Sequence, residues 1–214
     1  MGLAIGVGML AEYDRTDPDA ARRMNRDLDE INAILDERDL PRHHEPETFD
    51  EPPTIRASMS SFPYSWLHYL RRFAAHAMRD PKWVPYPVEP GEDPADDPVL
   101  LQMYRQFSSH LLCHSDSQGY YLPIDFEDLL FDQQQKLPGD IVGSSHRLCD
   151  ELLAVSDHLE IAVDECGGLT DEEVDLLARQ RPSHVPFARE RLVWLALFEA
   201  ARASIEHDTA IVFY

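Results

Sequence analysis

The chain has 214 residues and is 43% hydrophobic, enough to fill a core and too apolar for wholesale disorder. Forty Asp and Glu stand against 19 Lys and Arg, a formal net charge of -21, so the average surface repels phosphate. That argues against non-specific binding to nucleic acid, which rests on cationic neutralisation of the backbone, and against an anionic membrane surface.

In chain order, Gly2 to Leu10 is apolar, with strand character from Leu3 to Val7. No basic residue precedes it and Glu12, Asp14 and Asp17 follow, the wrong flanks for an export signal. Gly6-Val7-Gly8-Met9-Leu10-Ala11 matches G-x-G-x-x-A, a dinucleotide-binding fingerprint. The second strand that such a unit needs does not follow, so tight packing of small residues is the expected reading.

Asp17-Pro18 opens a helix, with Asp as cap and Pro at the first helical position. Ala21, Met24, Leu28, Ile31 and Leu35 give it one apolar stripe ending near Leu40-Pro41. From Pro41 to Thr54 the chain is polar and Pro-rich, a surface loop. A second helix begins at Pro63, carries Trp66, Leu67, Leu70, Phe73, Ala74 and Ala77 on one face, and stops at Asp80-Pro81. Six prolines from Pro81 to Pro98, both included, forbid regular structure there. Asp97-Pro98 repeats the start signal, and Leu100, Met103, Tyr104, Phe107 and Leu111 continue as a helix towards His110. Tyr120 to Leu122 reads as a strand, and Asp125 as the cap of a short helical turn. Further helices are expected from Ser145 to about Leu159, after the capping box Thr170-x-x-Glu173, and from about Pro186 to His207. Thr209 to Tyr214 is β-rich.

Helices dominate this pattern. The expected fold class is mainly α (α+β): one domain over residues 1–214, a helical bundle with a small sheet formed by the chain termini and the Tyr120 segment. No stretch approaches the roughly 18 apolar residues of a membrane span. Cys113, Cys149 and Cys166 are odd in number and lack CxxC spacing, as expected of reduced thiols in a cytoplasmic protein.

Several groups could carry chemistry. His110, Cys113 and His114 stand at i, i+3 and i+4, so on a helix they would face one way, with Asp116 nearby. Zinc is the metal this set suits, although no cofactor is required by any motif. Ser144 and Ser145 beside His146 invite a nucleophile, but G-x-S-x-G is missing, and a helix N-cap is the stronger reading. His68 and Arg71 lie one helical turn apart and could orient a carboxylate. With His110, His114, Asp116 and Tyr120 they form the candidate lining of a polar pocket. The acidic runs Asp27 to Glu30, Glu92 to Asp97 and Asp171 to Asp175 could mimic a phosphate backbone or grip a basic partner, although a solvated face is the commoner origin of such runs.

The segments SSFPYSWLHYLRR, HSDSQGYYLPIDF, GSSHRLCDELL and SIEHDTAIVFY resemble those of an uncharacterised family of bacterial cytosolic proteins. The resemblance implies a single shared domain and transfers no catalytic residue. In composition the chain is also similar to small acidic immunity proteins. The sequence therefore favours a non-enzymatic protein whose acidic surface engages a basic protein partner, most concretely an immunity-type inhibitor of a toxin. The alternative is an enzyme or a small-ligand or metal-binding protein using the His/Asp pocket. A homo-oligomeric architectural subunit is a third expectation.

Overall fold

A computed structural model describes residues 2–183 and 185–214. Strand β1 (Gly2–Val7) turns directly into helix α1 (Met9–Thr16). The turn is made at Gly8, whose φ of 66° lies in the left-handed region and whose missing side chain lets Phe49 and Pro53 pack against the backbone. Helix α2 (Pro18–Glu37) follows, with the Asp17 carboxylate accepting from the N–H groups of Asp19 and Ala20. A long irregular segment leads to β2 (Ser61–Pro63) and α3 (Tyr64–Arg79). After a second irregular segment with one 3-10 turn come α4 (Pro98–Tyr104), the single turn α5 (His110–Cys113), β3 (Gly119–Leu122), β4 (Leu130–Phe131) and β5 (Ile141–Ser144). Helices α6 (Ser145–Ser156), α7 (Asp171–Ala178) and α8 (Ala188–His207) precede the last strand, β6 (Ile211–Phe213).

The expectation of a helical bundle is overturned: the fold is α+β, built on a six-stranded mixed sheet in the order β2-β1-β6-β3-β5-β4. Only β3 and β5 run parallel; the other neighbours are antiparallel. The two ends of the chain pair through β1 and β6, with Ile5 opposite Phe213 and Val7 opposite Ile211. The strands absent from the sequence reading are β2, β4 and β5, each of two to four residues. Runs this short carry too few alternations to register as strands. Neighbours of β1 on both sides are antiparallel, so the Gly6–Ala11 match has no βαβ context.

The sheet divides the helices into two layers. Alternation along the strands sends Ile211, Phe213 and Tyr121 into a large core with α3, α6 and α8, while Val212, Tyr120 and Leu122 enter a smaller core with α1 and α2. Helix α8 is buried on almost every side within the large core; Trp194 stacks on Phe198 and its indole N–H donates to Leu152 O at 2.7 Å. Two expected helices are corrected. The helix begun at Pro98 stops at Tyr104 because Phe107 takes a left-handed φ of 49°, so α5 is separate. Asp125 caps no helix; its carboxylate forms an ion pair with Arg147 at 2.8 Å.

Candidate functional site

The histidines expected to line a pocket are built into the interior instead. His110 accepts from the Ser144 N–H through Nδ1 at 2.9 Å and donates from Nε2 to Glu127 O at 3.0 Å, which fixes its neutral tautomer. His114 lies between the carbonyl oxygens of Ser115 and Tyr120, at 3.1 and 3.0 Å, and stacks on Tyr121 at 4.0 Å. Two acceptors would favour its charged form, but burial outweighs them and holds the imidazole down to about 4. Burial also lowers His110 and raises the Cys113 thiol. His114 follows α5 in extended conformation, so the expected i, i+3, i+4 face of His110, Cys113 and His114 does not form. Among the described residues, no group of three or more His, Cys, Asp or Glu is placed to hold a metal ion.

The other candidates are equally committed. Arg71 is buried and donates to the carbonyls of Leu111, His114 and Ser115 at 2.9, 2.6 and 3.3 Å, closing the end of α5. His68 pairs with Asp116 at 3.1 Å nearer the surface. Its imidazole is lowered by burial and by Arg71, against the pull of Asp116. Ser144 is the N-cap of α6 and donates to Ile124 O at 2.7 Å; Ser145 bonds Ser204 at 2.7 Å, tying α6 to α8. Tyr120 points to the opposite layer, where its hydroxyl donates to Asp27 at 2.7 Å. Arg71, His110 and His114 thus share one polar seam, and Tyr120 is not part of it.

The three acidic runs are also partly used internally. Glu30 pairs with Lys136, Asp97 with Arg72 and His76, Asp171 with Arg56, and Asp175 with Arg179. What the sequence reading missed is a carboxylate ridge assembled from distant segments. Glu12 and Asp14 of α1 and Glu47 border a hollow of about 450 Å³ beside Phe49. Across Pro52, Glu51, Asp164 and Glu206 border a second hollow of about 590 Å³. None of these six carboxylates has an ion-pair partner among the described residues. Asp164 accepts from the N–H groups of Gly168 and Cys166, both at 2.8 Å, which keeps its carboxyl below the usual range. Arg15, Arg56 and Arg202 also border the hollows, but Arg56 is already held by Glu199 and Asp171.

The ridge has a rigid mount. The side chain of loop residue Glu45 is almost fully buried: it pairs with His43 at 2.6 Å, accepts from the Ala210 N–H at 2.8 Å and from the Thr209 hydroxyl. The same hydroxyl accepts from the Gly8 N–H at 3.1 Å. Asn32 of α2 exchanges two hydrogen bonds with the His43 backbone, at 2.9 and 2.8 Å. Farther along, Arg56 grips buried Glu199 with two bonds of 2.7 and 2.8 Å. Each free carboxylate between these clamps projects from a backbone fixed at both sides.

An acidic protein with a fixed, unpaired carboxylate ridge is the physical profile of a surface that substitutes for a polyanion. The chain belongs to the family described as "Putative DNA-mimic protein", whose model matches residues 1–213. Neither curated proteins nor solved structures gave a match. Membership of the DNA-mimic family overturns the immunity-type reading, which rested on composition alone. A protein partner remains consistent with it, since proteins that bind DNA are commonly basic. No helix among the described residues is long and apolar enough to cross a membrane.

Proposed function

We propose that this protein is a DNA mimic whose carboxylate ridge occupies the cationic surface of a DNA-binding protein. The observation that carries the reading is the gathering of Glu12, Asp14, Glu47, Glu51, Asp164 and Glu206 along two adjoining hollows, none of them in an ion pair among the described residues. Family membership and the net charge of -21 support it. A surface evolved to bind DNA must neutralise closely spaced phosphates, so its Lys and Arg side chains repel one another when unoccupied. A pre-formed row of carboxylates relieves that repulsion without first ordering flexible acids.

The test is capture. Immobilised protein is exposed to extract from its own cells with and without double-stranded DNA competitor. Capture of a basic DNA-binding protein is expected, competed by the DNA, weakened by salt, and reduced by combined Glu12→Gln, Glu47→Gln and Glu51→Gln substitution. Binding that ignores competitor DNA, or that survives neutralisation of the ridge, would sink the proposal.

A further inference from the structure

Beside the ridge, residues of α1, α2, β3 and the last strand border a cleft of about 510 Å³. Tyr13, Tyr64, Tyr120 and Tyr214 line it, together with Arg23 and Asp27 of α2. Tyr120 occupies one carboxylate oxygen of Asp27 at 2.7 Å, and the other has no hydrogen-bond partner within the chain among the described residues. Burial raises the Asp27 carboxyl, with the Tyr120 bond, Arg26 and Arg23 opposing it. Arg23 is largely exposed, and its closest acidic contact is Asp17 at 3.9 Å, so it is free to swing aside. Helix α1 links the cleft to the ridge: its Tyr13 lines the cleft, and its Glu12 and Asp14 border the first hollow.

We propose that this cleft is a socket for an arginine side chain of the DNA-binding partner, its guanidinium lying against the tyrosine rings and pairing with Asp27. The inference rests on the DNA-mimic reading and extends it from charge to shape. DNA-binding proteins insert arginine into narrow minor grooves, between close walls and towards negative potential. Here tyrosine side chains line the cleft, ring faces attract a cation through their quadrupole, and the half-buried Asp27 carboxylate supplies the potential. The planar guanidinium satisfies both at once, whereas an ammonium is a compact, strongly hydrated charge. The chain already uses the same chemistry internally: the Arg72 guanidinium lies 4.5 Å over the Tyr86 ring while its Nε pairs with Asp97 at 3.2 Å.

The experiment compares a hexa-arginine peptide with a hexa-lysine peptide of equal charge, binding to the full-length protein by calorimetry. The arginine peptide is expected to bind about tenfold more tightly. Asp27→Asn, which retains an oxygen to accept from Tyr120, and Tyr13→Leu should each erase that preference and leave lysine-peptide binding unchanged. Neutralising Glu47 and Glu51 should weaken both peptides alike. Should Asp27→Asn fail to fold, Tyr13→Leu and the shift of the Tyr13 and Tyr214 ring resonances on adding hexa-arginine decide the matter. Equal affinity for the two peptides, or a preference that survives both cleft variants, overturns the socket. Capture competed by DNA but indifferent to the cleft variants removes the socket alone, whereas an arginine preference without DNA-competed capture removes the mimicry and leaves the cleft chemistry standing.

Discussion

The two long irregular segments, 41–60 and 80–97, are alike in composition and opposite in construction. Both are Pro-rich and acidic. The first is fastened by buried charge: Glu45 to His43, Thr209 and Ala210, and Arg56 to Glu199. The second is fastened mainly by rings. Trp83 packs edge-on against Phe73 and stacks on His76, both at 5.0 Å, and Tyr86 covers Arg72. A buried carboxylate with several donors fixes a loop to within a hydrogen bond's tolerance, whereas ring packing fixes area and leaves more lateral freedom. Glu47 and Glu51 of the carboxylate ridge stand on the more exactingly fixed of the two.

The largest effect should come from the first segment. Glu45→Ala strands a buried imidazole, the Thr209 hydroxyl and the Ala210 N–H, and is expected to cost about 3–5 kcal/mol in urea denaturation. Hydrogen exchange should rise across 41–54 at the same time. A loss below about 1 kcal/mol would mean that the loop is not held there and that the comparison is wrong. In the second segment, Trp83→Ala removes the ring contacts with Phe73 and His76 and should cost about 2–3 kcal/mol by the same measurement. Exchange should then rise across 80–93 and remain low across 41–54.

The two clamps differ in how far the sequence reveals them. Caps are local, so Asp17, Asp97, Ser144 and Thr170 announced helix starts that form at those positions. Glu45 could not announce its role, because Thr209 and Ala210, which it ties to the loop, lie 164 and 165 residues away, nor could Glu199, 143 residues from Arg56. The same distance effect hid the ridge: acidic runs such as Glu92 to Asp97 drew attention, while the face itself is gathered from four parts of the chain. Short strands failed for another reason. Leu130–Phe131 is a strand only because β5 lies beside it, and no periodicity can appear in two residues. The His110, Cys113 and His114 spacing misled because it presumed a helix that ends after one turn.

Acid separates the clamps at intermediate magnitude. Asp97 caps α4 through Oδ1 and meets Arg72 and His76 through Oδ2. Burial pushes its carboxyl up, but His76 and the Val99 and Leu100 N–H groups outweigh that and leave it below its ordinary value. A carboxyl lowered on folding contributes stability above the unfolded value of about 3.9 and loses it as pH falls through the folded one. Asp97→Asn should therefore cost about 1–2 kcal/mol at neutral pH. The gap between variant and parent should close below about pH 4. A gap that persists at pH 2 would place the Asp97 contribution in shape rather than charge.

The smallest stability effect carries the most functional information. Glu47→Gln with Glu51→Gln, and Glu89→Gln with Glu92→Gln, remove two exposed charges from each segment, and each pair should change stability by less than about 0.5 kcal/mol. Glu51 shares its hollow with Asp164 and Glu206 but also with Arg56 and Arg202, and Glu92 shares its own with Asp93 and Arg189, so repulsion and attraction offset in both. Capture of a DNA-binding protein should follow position rather than charge count: reduced by the first pair, unchanged by the second. Equal reduction by both pairs would make the contact a matter of net charge alone, and the fixed ridge would then have no special part in recognition.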